Sequence, residues 1–202
     1  MDSVARLFGV QAPEHIDFYV TASPDDYLRA IGLDFFLQPS GWGTATAGQS
    51  GPDMVLSGDP NLREGYHHEL VHVVLARSCC ASAVAGEGIA TWLAGSKGRS
   101  PGELYALLAR YQRAHPRVTL RQLTDGDVGG PWGQPETDAL YASDALVVDA
   151  IYRQGGIPAV RAFSQVGRDT DALLAAIRER VPGAASDIEA WWRRGPQERT
   201  GR

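Results

Sequence analysis

The chain has 202 residues, of which 44% are hydrophobic and 21% charged, and a formal net charge of −5. That length suits a single domain able to bury a substantial core. The acidic balance argues against electrostatic capture of nucleic acid or anionic lipid, and no apolar run reaches the length of a membrane span.

In chain order, Met1 to Val10 has neither a basic segment nor a continuous apolar one, so no signal peptide is expected in the chain as given. A leader removed and replaced by Met1 would leave the same trace, so the compartment stays open. Residues 3–9 read as a short helix. His15 to Thr21 alternates enough for a strand. Ser23-Pro24-Asp25-Asp26 is a helix start, with serine as N-cap, proline in the first turn and acids beside it; the helix runs to about Gly32. Residues 34–37 and 53–57 read as further strands. Between them, 41–48 is small and threonine-rich. It is either a strand or hairpin whose missing side chains admit another backbone, or a flexible loop.

From residue 64 onward the pattern turns helical. Helices are expected at about 64–78, from near Ala85 to Gly95, and at 102–114, 137–154, 157–166, 169–180 and 186–194. Gly95 to Gly102 is a turn without the Gly-Lys-Ser/Thr order of a phosphate loop. Gly155 suits a helix C-terminus and Pro158 a first turn. Trp191 and Trp192 read as anchors of the last helix. The run 124–136, rich in glycine and proline, is long for an internal connection. With Trp132 at its middle, it is either a rim beside a cleft or a plain linker. Strands first and helices afterwards make the fold class α+β: an N-terminal α/β half over about 1–80 and a helical half over about 81–202. The helix at 64–78 lies at the seam, where ligand clefts commonly form.

The only cysteines are the neighbours Cys79 and Cys80. A bridge between adjacent residues closes a strained ring, so they read as two small buried thiols. The alternative, a metal site of adjacent thiols, lacks the C-x-x-C spacing that tetrahedral zinc favours.

The stretch that carries chemistry is Tyr66-His67-His68-Glu69-Leu70-Val71-His72-Val73-Val74-Leu75, which contains H-E-x-x-H. On a helix, His68 and His72 sit one above the other, a spacing at which two imidazoles can bind one Zn²⁺. Glu69 is rotated about 100° from His68, so it can flank the metal as a general base. His67 faces another direction and reads as surface or supporting. His15 and His115 have no partner at ligand spacing.

A catalytic zinc keeps three protein ligands and one open position. The extension H-E-x-x-H-x-x-G-x-x-H fails, because Leu75 and Ser78 stand where glycine and histidine are needed. Glu87, in Gly86-Glu87-Gly88-Ile89-Ala90-Thr91-Trp92-Leu93, follows His72 after enough chain to end one helix and bring a second alongside. With these residues the sequence resembles the gluzincin zinc metallopeptidases, in particular small peptidase-MA-like domains of bacterial type. The specific part of the resemblance covers 66–93. A weaker match runs over Ala139 to Val148 and ends at Gly155-Gly156.

The resemblance implies a zincin-like fold, zinc held by His68, His72 and Glu87, Glu69 as general base, and Tyr141 as donor to the tetrahedral oxyanion. Tyr141 also reads as an ordinary core aromatic at helical spacing. Two departures stand out. Thr91 occupies the place where many gluzincins carry an acid that orients the first histidine, so that partner must be a carbonyl or lie elsewhere. No acid occurs between Asp34 and Asp53, where related aminopeptidases hold the substrate's free amine. The expected function is zinc-dependent hydrolysis of internal bonds in a peptide or protein substrate, bound by strand addition. The alternatives are a protease-like binding or regulatory module with little turnover, and an aminopeptidase.

Overall fold

The computed structural model describes residues 1–23, 26, 29–30, 41–43, 54–58, 66–76, 78–131 and 133–200. The strand expected over 34–37, most of the helix over 23–32, residues 44–48 and Trp132 lie outside them. Three short strands, β1 (Phe18–Thr21), β2 (Gly41–Gly43) and β3 (Met54–Ser57), form one sheet in the order β1-β3-β2. The central strand runs parallel to β1, with Phe18 opposite Met54, and antiparallel to β2, with Gly41 opposite Leu56. The helices are α1 (Asp2–Phe8), α2 (Tyr66–Leu75), α3 (Ala83–Ala94), α4 (Pro101–Ala114), α5 (Leu120–Asp125), α6 (Gln134–Ser164), α7 (Thr170–Arg180) and α8 (Ile188–Thr200). The described residues are thus mostly helical with a small mixed sheet, an α+β arrangement.

The apolar character of α2 on two sides explains its place in the fold. Val73, with Leu70 and Tyr66, packs against Met54 and Leu56 of the sheet. Val71, Val74 and Leu75 enter the larger core formed by the helices. The H-E-x-x-H helix therefore packs against both the sheet and the helices.

The helix starts follow side-chain chemistry. Ser82 accepts from the Ala85 N–H at the start of α3. Ser100 and Glu103 cap α4 reciprocally, and Thr119 and Gln122 do the same for α5. That short helix was not expected, and it narrows the connection read over 124–136 to 126–133. The helix expected from 137 begins three residues earlier, where the Gly133 N–H donates to Glu136 at 3.0 Å. The pair Gly155-Gly156 breaks α6, with Gly156 at φ 62° and ψ −158°, so the two helices read from the sequence are joined end to end across a kink.

The core centres on α6, which packs against both α3 and α4. Trp192, fully buried, donates from Nε1 to Ser143 Oγ at 2.9 Å, and Gln112 Nε2 donates to the Trp192 carbonyl at 3.0 Å. These bonds tie α8 to α6 and α4, the anchoring role expected of the tryptophan. At the crossing of α3 and α6, a Cβ added to Gly88 would meet the Asp144 carbonyl oxygen at 2.8 Å and Val148 Cγ2 at 2.9 Å. Gly88→Ala is therefore expected to force the helices apart, costing about 1–3 kcal/mol as a lower Tm. Because Glu87 precedes it, the same substitution should also weaken metal binding.

Candidate metal centre

His68 and His72 project from one face of α2, one turn apart, with ring centroids 4.9 Å from each other. Helix α3 packs beside α2 and brings Glu87 to the same point. His68 Nε2 lies 3.0 Å from Glu87 Oε2, His72 Nε2 lies 3.1 Å from His68 Nε2, and His72 Nε2 lies 3.5 Å from Glu87 Oε2. Zinc bonds near 2.0–2.2 Å at tetrahedral angles set neighbouring donors about 3.3 Å apart. The three donor atoms thus already form a triangle of the size that one face of a tetrahedral ion requires. Among the described residues this is the one group of histidine, cysteine and carboxylate side chains that could hold a metal ion.

The partner that orients His68 is a backbone carbonyl. His68 Nδ1 donates to the Gly95 oxygen at 2.8 Å, which leaves the neutral ring's Nε2 lone pair facing the other two donors. Gly95 closes α3 at φ 75° and ψ −163°, a conformation restricted to glycine, and a Cβ there would overlap the Arg99 carbonyl oxygen. Thr91 does not take this role. It is fully buried and its Oγ1 has no hydrogen-bond partner among the described residues.

The electrostatics match a site that keeps negative charge. Burial opposes ionisation of Glu87, but hydrogen bonding to His68 and His72 and their positive charge hold its carboxyl well below the usual range. Burial likewise opposes protonation of His68, yet the Glu87 hydrogen bond and the charges of Glu87 and Glu69 raise its pKa. Without metal, the triad is held together as a carboxylate between two imidazoles; a divalent cation would replace the protons that hold it.

Glu69 is half-buried, and its charge acts on both His68 and Tyr141. The Tyr141 ring lies parallel to that of His68, with centroids 5.8 Å apart and an interplanar angle of 4°. Burial first, then the charges of Glu87 and Glu69 and hydrogen bonding to Glu87, push its phenol well above the ordinary value. The structure therefore brings together all five residues singled out in the sequence. Asp144, one turn beyond Tyr141, was not singled out. It is 2% exposed, and burial, reinforced by the Glu87 charge, pushes its carboxyl well above the carboxylate range. The other histidines stay outside: His67 is exposed against Tyr66, His15 bonds Asp17, and His115 stacks on Tyr111.

A cavity of about 530 Å³ opens beside the triad, lined by His72 and Glu87 together with Cys79 and Cys80. The two cysteines differ from the expectation of separate thiols. They form a disulfide, and the peptide between them is cis. No protein-family model matches the chain, nor does any curated protein or solved structure.

Proposed function

We propose that this chain is a zinc-dependent peptide hydrolase of the gluzincin type that cuts internal bonds. The observation that carries this reading is the convergence of His68, His72 and Glu87 from adjacent helices, with Glu69 in the next position on α2. The placement of α2 between a small mixed sheet and a helical half supports a zincin-like fold. Two nitrogen donors and one carboxylate are the ligand type of hydrolytic zinc sites.

Zinc bound there would polarise the scissile carbonyl and acidify an attacking water. Glu69 accepts the water's proton and delivers it to the leaving amine. Tyr141, whose phenol stays protonated across the neutral range, donates a hydrogen bond to the oxygen that gains charge. The Gly95 carbonyl holds the His68 ring in register throughout. The absence of an acid between Asp34 and Asp53 supports cleavage within a chain over capture of a free amine.

Tyr141→Phe keeps the ring against His68 and removes only the donor. It is expected to lower kcat about 100-fold while leaving zinc content and KM nearly unchanged, as measured by steady-state kinetics on a cleaved peptide.

The decisive test of activity is a proteome-derived peptide library incubated with the zinc-loaded chain and read by mass spectrometry. Internal cleavage that a chelator abolishes and added zinc restores is the expected result. Stoichiometric zinc with no cleavage anywhere in the library would instead make the chain a metal-holding binding module.

A further inference from the structure

The cavity beside the triad is lined by His72, Glu87 and Arg168, with Val71, Leu75, Val84 and Leu173 among its apolar residues. Arg168 lies in the turn between α6 and α7. Its guanidinium makes no ion pair or hydrogen bond among the described residues. Arg99, Arg121, Arg153 and Arg199, by contrast, each pair with an aspartate.

The acids nearest in sequence are committed as well. Asp169 caps α7 by accepting from the Ala172 N–H, and Asp171 pairs with Arg121. Glu87, the one acid among the described residues lining the cavity, is engaged by the two histidines. The cavity therefore combines a cation with apolar lining residues and, among the described residues, no carboxylate left to neutralise that cation.

We propose that this cavity binds a substrate group consisting of a short apolar stem ending in a carboxylate, with Arg168 as the residue that selects it. The inference rests on the reading of the triad as a metal centre, because it places this group next to the bond that is cut. A guanidinium offers parallel N–H donors that match the two oxygens of a carboxylate. The apolar walls suit the methylenes of the stem, and the volume is ample for one side chain with its backbone. Either an acidic side chain or the carboxylate at a chain end carries this chemistry.

The test uses the zinc-loaded full chain and three hydroxamates with the same zinc-chelating headgroup. One carries leucinamide, one glutamic acid α-amide, and one leucine with a free C-terminal carboxylate. Titration calorimetry gives their Kd values for the wild type and for Arg168→Gln, whose site lies on an exposed turn.

A carboxylate ligand is expected to bind the wild type about fivefold more tightly than the leucinamide ligand, with the gain shrinking as salt rises. Arg168→Gln should erase that gain and leave zinc content and leucinamide affinity unchanged. A gain for the glutamate ligand assigns the cavity to an acidic side chain, and a gain for free leucine assigns it to a chain end. Equal affinity of all three for the wild type, or a gain that survives Arg168→Gln, overturns the inference. If the chain takes up no zinc and the leucinamide hydroxamate does not bind, the metal-centre reading itself fails and this inference falls with it.

Discussion

Replacing Glu87 by alanine is expected to lower zinc affinity by about three orders of magnitude. Structural zinc in small peptides yields about 10–16 kcal/mol of binding free energy; the same range spread over three ligands is on the order of 4 kcal/mol each, or about a thousandfold. Of the three proposed ligands, Glu87 is the natural one to remove because it comes from a different helix than the histidines. Its loss leaves α2 intact and tests whether α3 contributes. Competition against a chromophoric zinc chelator measures the change. Thr91→Ala, one turn further along α3, should leave zinc affinity within a fewfold of the parent, since its hydroxyl engages no partner among the described residues. Equal losses for the two variants would mean that both act through packing and that Glu87 is not a ligand.

The second large effect is expected from Glu69→Gln. Amide and carboxylate have nearly the same shape, so the half-buried position stays filled and the histidines keep their geometry. The amide cannot accept the water's proton, and loss of a general base costs about 10²–10⁴ in rate. Full zinc content with peptide cleavage reduced at least about a hundredfold is the expected pair of readings. Unchanged cleavage would move the base to another residue, while simultaneous loss of zinc would show that Glu69 supports the metal instead.

The parts of the site written in side chains were legible in the sequence. H-E-x-x-H fixes a helical face, and the distance to Glu87 allows a turn and a second helix. Both reduce to the period of a helix and the reach of a short connection. Tyr141 was legible only as one of two roles, core aromatic or donor, since nothing in the spacing says which way a helix face turns.

What the sequence did not disclose is carried by backbone and by packing. The acceptor that orients His68 is a carbonyl, and Gly95 reads in the sequence merely as the end of a helix. Its signal was a glycine closing the helix two turns beyond Glu87, at a point where the chain doubles back. Gly88 looks like an ordinary small residue in Gly86-Glu87-Gly88, yet it sets how closely α3 approaches α6 and hence where Glu87 stands. The buried carboxyl of Asp144 is invisible for the same reason. It sits within an apolar helix whose neighbours are known only once the helices are packed. The short α5 was missed although Thr119 and Gln122 spell a capping box, because a helix of so few residues carries little periodicity. The pairing of Cys79 with Cys80 ran against the geometry assumed for adjacent residues.

X-ray absorption at the zinc edge of the one-to-one complex addresses the convergence of these three ligands most directly. The account predicts two imidazole nitrogens at about 2.0–2.1 Å with the remaining scatterers oxygen, and loss of that spectrum in Glu87→Ala. Sulfur scattering at about 2.3 Å would contradict it by placing the ion on the thiolates of a reduced Cys79–Cys80 pair, as would a chain that takes up no stoichiometric zinc.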